Sequence, residues 1–285
     1  MAGLELELSI KDLLRQALDE DVGHGDITTE LTIFPLTHQS KAVILAKSDL
    51  ILAGLSFAFE LFSMYDPELR FRMKHGDSQQ LKSGTIIATI KGNTRSLLTV
   101  ERVALNFLQR LSGIATLTHQ FVTAVSGTKA RIVDTRKTTP LLRPFEKYAV
   151  RVGGGFNHRF GLYDGILIKD NHLQAAGSVR RALELVKGMA PHLMKIEVEV
   201  TNLDEFTEAI EHGADAILLD NMTPAEIRKA VAIADGRVIL EASGGITLDN
   251  VRAYAETGVD IISVGALTHS AIASDISMKI ESVSP

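Results

Sequence analysis

The sequence has no cysteine and no tryptophan. The first absence removes disulfides, thiolate metal ligands and cysteine nucleophiles, and it accords with a reducing compartment. The second, with only 4 tyrosines and 11 phenylalanines among 285 residues, leaves the core to aliphatic side chains. Long apolar runs are missing as well. The longest uncharged one, Leu50 to Phe59, falls far short of a bilayer-spanning helix. The N-terminus carries Glu5 and Glu7 and no basic segment, so it does not read as a signal peptide, and a cytoplasmic location is expected. Positive charge is in deficit: the net charge of −5 counts against general nucleic-acid or membrane-surface binding.

What is present is an ordinary globular composition, 45% apolar and 23% charged, in a chain long enough for one large domain or two modest ones. The charge is unevenly spread. Arg131 to His172 holds eight Lys/Arg against four acids, so this segment is +4 while the rest of the chain is −9. A basic island in an acidic protein suits an anionic small ligand, and a solvated basic surface is the plain alternative.

Two textures follow one another along the chain. Ser9 to Glu20 predicts a capped amphipathic helix, ended by Gly23-His-Gly-Asp26. Short β-patterned runs come next at Lys41–Ala46, Leu69–Met73 and Thr85–Ile90. Val100, Val103, Ala104, Phe107, Leu108 and Leu111 then form one apolar helical stripe, with Glu101, Arg102, Asn106, Gln109 and Arg110 off it. From about residue 130 the pattern becomes repeated buried strands: Arg131–Asp134, Ile166–Lys169, Lys195–Val200, Ala216–Asp220, Val238–Glu241 and Ile261–Val264. The last four begin 21 to 23 residues apart, the period of a βα unit. Asn202, Thr223-Pro224 and Thr247 read as helix starts, Gly213 and Gly258 as helix ends. No GxGxxG follows the first of these strands, so a barrel is expected over a dinucleotide-binding sheet.

In such a barrel the chemistry sits at the C-terminal strand ends. Those positions read Asp134-Thr-Arg-Lys137, Lys169-Asp-Asn-His172, Glu199, Asp220-Asn221, Ser243-Gly-Gly245 and Gly265-Ala266. Cations bind a polyanion, carboxylates hold a ribose or a divalent metal, and glycines admit a phosphate to backbone N–H groups. Each has a structural alternative. The glycines make tight turns, Asp220 caps a helix, and Gly153-Gly-Gly155 is a mobile loop as readily as a site. Arg136 and Lys137, adjacent cations after a strand, repel unless an anion separates them. Glu197 and Glu199 share a strand face, and two inward acids are hard to bury unpaired. Lys169, aimed inward by an apolar strand, admits a Schiff-base role as well.

Several longer runs resemble quinolinate phosphoribosyltransferase, the carboxylating nicotinate-nucleotide pyrophosphorylase family. They are Thr135-Arg-Lys-Thr-Thr-Pro140, Glu146-Lys-Tyr-Ala-Val150, Gly153-Gly-Gly-Phe-Asn-His-Arg159, Leu167-Ile-Lys-Asp-Asn-His172, Leu218-Leu-Asp-Asn-Met222 and Glu241-Ala-Ser-Gly-Gly-Ile246. Glu20 to Thr28 and Glu101 to Thr116 agree too, so the likeness spans nearly the whole chain in order. One departure is Leu141, where the family more often has glycine.

The resemblance implies an α/β fold: an N-terminal α+β sandwich domain over 1–112, with 270–285 packing back on it, joined to an incomplete six- or seven-stranded TIM-like βα barrel over 113–269. It implies transfer of phosphoribose from phosphoribosyl pyrophosphate (PRPP) to quinolinate with decarboxylation, giving nicotinate mononucleotide, pyrophosphate and CO2 for NAD biosynthesis, with Mg2+. The two ring carboxylates would meet Arg102, Arg136, His158, Arg159 and Lys169. PRPP would meet Lys137, His172, Glu199, Asp220, Ser243, Gly244, Gly245, Gly265 and Ala266. Lys137, Lys169, Glu199 and Asp220 would carry catalysis, and Glu199 and Asp220 would hold the metal, partly through water or substrate. The assembly implied is a homodimer or larger, with Arg102 lent to the neighbouring site, and no nucleic-acid or membrane partner. The rival readings are a sister transferase acting on nicotinate without CO2 release, a Schiff-base aldolase using Lys169, and a phosphate-ligand sensor. The Gly84 to Gly92 segment superficially resembles a lipoyl module but lacks its lysine hairpin tip.

Overall fold

The computed structural model describes residues 2–282, which divide into two compact units. The first comprises Met1–Leu117, Thr139–Gly154 and Ala271–Pro285, and the second Thr118–Thr138 and Gly155–Ser270. Twelve strands occur among the described residues: β1 (Gln39–Ala46), β2 (Leu50–Ile51), β3 (Arg70–Met73), β4 (Gln80–Leu81), β5 (Ile86–Asn93), β6 (Arg131–Val133), β7 (Ile166–Ile168), β8 (Ile196–Val200), β9 (Ala216–Asp220), β10 (Ile239–Ser243), β11 (Ile261–Ser263) and β12 (Ile276–Ser282).

The first unit is built on an antiparallel sheet ordered β12-β1-β5-β3. Alternation decides its faces: Ala42, Ile44 and Ala46 of β1 are buried with Ala88 and Ile90 of β5, while Lys41 pairs across to Lys91 on the other face. Phe71 of β3 meets Phe59 and Phe62 of the helix Leu55–Tyr65, which fixes that helix on the apolar face. The first helix runs Ala2–Val22, longer at its start than the Ser9 cap predicts. The striped helix is also longer, Thr94–Ala124, and Leu105 joins its buried face. It holds the C-terminal segment closely: Gln109 Nε2 donates to the Ile276 carbonyl at 2.7 Å, and Gln109 accepts from Ser274 N at 2.9 Å. Gly113 is required there, because a Cβ would stand 2.1 Å from the Ile272 carbonyl oxygen.

Residues 139–154 lie between β6 and β7 in sequence yet cluster with the first unit, so 113–269 is not one continuous body. The reason is a buried charge. Glu146 is fully buried and accepts from Arg110 Nη2 (2.7 Å), Thr139 N (3.0 Å) and Thr139 Oγ1 (2.8 Å). Phe145 beside it meets Phe57 and Phe107 at ring-centroid distances of 5.0 Å each. Tyr148 donates to Asp77 at 2.6 Å; burial, then that carboxylate, raises its pKa above the ordinary phenol value.

The second unit is a parallel six-stranded sheet ordered β6-β11-β10-β9-β8-β7. The order is sequential except that the first strand lies beside the last, which is barrel order with its opening between β6 and β7. Helices Leu203–Glu211 and Pro224–Ala234 start as the sequence predicts: Asn202 accepts from Asp204 N and Glu205 N, and Thr223 forms a capping box with Glu226. Gly213 and Gly258 follow helices at φ +68° and +94°. The predicted start at Thr247 is displaced. Asn250 Oδ1 accepts from Thr247 N and closes a turn first, so the helix is Val251–Ala255.

Leu141, the departure noted above, is 72% exposed and sits at φ +65°. A non-glycine residue in that region costs roughly 1–2 kcal/mol. Glycine returns about 0.5–1 kcal/mol of that through unfolded-chain entropy. Leu141→Gly should therefore stabilise the protein by roughly 0.5 kcal/mol in urea unfolding; a loss of stability would show that the leucine side chain contributes more than its backbone costs.

Candidate active site

A cavity of about 570 Å3 opens at the C-terminal ends of β6 to β11 in the second unit. Its lining includes Thr135, Arg136, Lys137, His158, Arg159, Lys169, Glu199, Asp220, Asn221, Glu241, Ser243, Gly244, Gly245 and Ser263. Ten of these are residues singled out at strand ends from the sequence.

The cationic side is held by backbone bonds. Buried Asp134 accepts from His158 N at 2.9 Å, which ties the loop after β6 to the segment following Gly153–Gly155. Phe156 bridges β6 in parallel, so the glycine run leads into an edge segment instead of a mobile loop. Lys137 N donates to Thr135 Oγ1 (3.0 Å), and Thr268 Oγ1 donates to the Lys137 carbonyl (2.7 Å). Arg159 donates through Nη1 to the Gly165 carbonyl at 2.9 Å. Burial first, and then the Arg136 guanidinium, depress its pKa below the ordinary arginine value. Two guanidinium groups turned on the same space repel, and an anion between them removes that cost.

Opposite lie the acids. Lys169 at the end of β7 donates to Glu199 of β8 at 2.5 Å, with Glu199 buried and Lys169 side-chain exposure at 43%. The ion pair engages the amine as a charged donor, which disfavours a Schiff-base nucleophile. Asp220 ends β9 and accepts from Asn221 Nδ2 at 2.7 Å. Glu199, Leu218 and Glu241 are register partners across β8, β9 and β10.

The third side is the glycine loop after β10. Asn221 N donates to the Ser243 carbonyl at 2.9 Å, and Asn250 Nδ2 to the Gly245 carbonyl at 2.9 Å. Gly244 has φ +92°, and a Cβ there would stand 2.2 Å from Asn221 Oδ1 and 2.9 Å from Asn221 N. Only glycine fits.

Four expected residues fall outside the lining. His172 is exposed, and its Nδ1 accepts from Lys169 N at 2.9 Å, a role in starting the helix Asp170–Ala176. Gly265 and Ala266 are half-buried; a Cβ on Gly265 would meet Lys137 Cδ at 3.1 Å, so the glycine accommodates the lysine stem. Arg102 is exposed on the helix Thr94–Ala124 of the first unit. His158 lines the cavity, but both ring nitrogens are engaged by protein: Nδ1 accepts from Arg159 N (2.8 Å), and Nε2 lies 3.2 Å from Glu197 Oε2.

The sequence reading missed Glu241 and Ser263. The signal for Glu241 was available, since it shares a strand face with Ser243 at i and i+2, as Glu197 does with Glu199.

Cations, carboxylates and a glycine loop at one barrel mouth define an enzyme of the anion-handling βα-barrel class. The comparisons narrow this. Residues 26–112 match the N-terminal domain of quinolinate phosphoribosyl transferase and residues 114–279 its C-terminal domain, so the chain belongs to that family. The chain is 46% identical to a probable carboxylating nicotinate-nucleotide pyrophosphorylase of Bacillus subtilis, over 96% of this chain and 94% of that one. It is 44% identical to the carboxylating enzyme of Mycobacterium leprae, over 95% and 96% respectively. The crystal structure of NadC from Streptococcus pyogenes superposes with TM-score 0.94 at 44% identity, covering 97% of this chain and 98% of that one.

Gly244→Ala should weaken binding of inorganic phosphate in the cavity by about tenfold or more while the fold persists. Phosphorus NMR titration checks this, and unchanged affinity would remove the loop from the phosphate site.

Proposed function

We infer that this chain transfers the phosphoribosyl group of PRPP to quinolinate with loss of one ring carboxylate, releasing nicotinate mononucleotide, pyrophosphate and CO2. The observation that carries the inference is the convergence of Arg136, Arg159 and Lys169 with Glu199, Asp220 and the Ser243–Gly245 loop on one cavity. Quinolinate carries adjacent carboxylates, which suit two guanidinium groups and an ammonium. The Ser243–Gly245 backbone receives the 5-phosphate. Lys137 faces the pyrophosphate, and Glu199 and Asp220 face the ribose, where their charge stabilises the cationic character that develops as pyrophosphate departs. Their hard carboxylate oxygens fit magnesium, which when bound neutralises the leaving group. His158 lines the same cavity, held by its two ring contacts beside the ring-carboxylate cations. A cytoplasmic location accords with this reading, because a multiply charged sugar phosphate does not cross a bilayer unaided.

Side-by-side assays with quinolinate and nicotinate test the reaction. Quinolinate should release pyrophosphate and CO2 in equal amounts, and nicotinate should release neither at a comparable rate. Equal turnover of nicotinate would move the chain to the sister activity. Lys137→Ala should lower kcat by at least about a hundredfold, since it removes charge from the leaving-group side; near-normal kcat would refute the role.

Arg102, exposed on its helix, is the residue we assign to a neighbouring subunit's quinolinate site in a homodimer or larger assembly. Arg102→Ala and Lys169→Ala should each be nearly inactive alone, and mixing them should restore up to about a quarter of the activity, the share of wild-type sites in random dimers. No recovery after subunit exchange would place Arg102 in its own site or in none.

A further inference from the structure

His158 and Glu241 of the cavity lining stand together with Glu197, three titratable side chains whose chemistry the reaction so far leaves unused. His158 Nε2 lies 3.2 Å from Glu197 Oε2 and 3.8 Å from Glu241 Oε2. The three ligand atoms are close enough to hold a metal ion. The histidine opposes that. An imidazole bound to metal through Nε2 carries its proton on Nδ1, where Arg159 N already donates at 2.8 Å. The same bond leaves the ring as the Nε2–H tautomer, a donor turned on two carboxyl groups.

Glu241 is the most enclosed of the three. Its exposure is 2%, and its Oε1 has no hydrogen-bond partner within the protein. A buried anionic oxygen without a donor is costly, and a carboxylic acid avoids that cost. Burial above all, and then the Glu197 charge, push the Glu241 pKa up to about 7, while His158, Ser263 and Lys169 pull it down. The groups facing it are Glu197 from β8, His158 from the loop before β7, Lys169 from the end of β7 and Ser263 from β11. Arg136, Lys137, Arg159, Glu199 and Asp220 line the same cavity.

We propose that Glu241 is the proton donor of the decarboxylation half-reaction, a deepening of the function inferred above. After phosphoribosyl transfer the ring nitrogen is cationic. The bond between the adjacent ring carbon and its carboxylate breaks, CO2 leaves, and the electron pair stays on that carbon. The Glu241 O–H delivers its proton there, forming the C–H bond of the product. Glu241 is then a carboxylate facing the His158 Nε2–H and the Lys169 ammonium, and it regains a proton from water when product leaves. The burial that raises the Glu241 pKa is what suits it to this step. A neutral acid also adds no negative charge to a site that must accept two carboxylates.

Single-turnover release of pyrophosphate and of CO2, followed separately from about pH 6 to 8.5, tests the proposal. In the wild type CO2 should lag pyrophosphate increasingly above about pH 7, as the acid form is lost. Glu241→Gln keeps the shape and loses the proton. It should still release pyrophosphate, with CO2 per pyrophosphate lowered at least about tenfold, no pH-dependent lag, and the dicarboxylate mononucleotide visible by mass spectrometry. One-for-one release by Glu241→Gln with the wild-type pH profile would overturn the assignment. Should that variant release neither product, the wild-type series decides: CO2 in step with pyrophosphate at every pH overturns the proposal. A wild type that releases pyrophosphate but no CO2 would instead refute the proposed reaction.

Discussion

Charge balance at the mouth of the parallel sheet is the constraint on which the site depends. Glu197, Glu199, Asp220 and Glu241 all project from three neighbouring strands, β8, β9 and β10, and such a cluster is unstable without compensation. Each acid is managed differently. Glu199 is paired with Lys169, Asp220 is bonded by Asn221, Glu197 receives the His158 ring, and burial raises the Glu241 pKa to about 7. Opposing cations on the loops after β6 then face a cavity in which they repel one another. The cavity thus carries both signs of charge, with Arg136, Lys137, Arg159 and Lys169 sharing its lining with Glu199, Asp220 and Glu241.

The scaffold makes that arrangement possible by separating stability from chemistry. Branched apolar residues such as Ile217, Leu219, Val198 and Ile262 fill the sheet, and the polar residues gather at the strand ends. The first unit holds its own ion pair, buried Glu146 with half-buried Arg110, which anchors the 139–154 insertion. Breaking one partner of such a pair costs about 3–5 kcal/mol, so the insertion is fixed in its unit rather than loosely attached.

Much of this was legible in the sequence. The spacing of βα units, the inward Lys169 and Glu199, and the glycines after β10 follow from period, alternation and turn chemistry. The 139–154 insertion was not legible, because its location depends on Glu146 meeting Arg110 far away along the chain. The extension of the helix Thr94–Ala124 beyond its stripe was hidden for a similar reason: past Leu111, Ser112 is bonded to Ala53 and Gly113 makes room for Ile272, contacts with residues distant in the chain. His172 and Gly265 were expected at a ligand from their strand-end positions alone, and their contacts with Lys169 N and the Lys137 stem depend on packing that the sequence does not display. His158 was expected at the ring carboxylates; it lines the cavity, and the sequence could not show that its Nδ1 accepts from Arg159 N while its Nε2 lies beside Glu197.

The claim that the barrel mouth is a dicarboxylate site awaiting its anions is tested most directly by a crystal soaked with quinolinate. The predicted result is the pyridine ring in the second unit's cavity, its two carboxylates contacting Arg136, Arg159 and Lys169. Ring density bound elsewhere on the chain, with these three side chains untouched at saturating quinolinate, would contradict it.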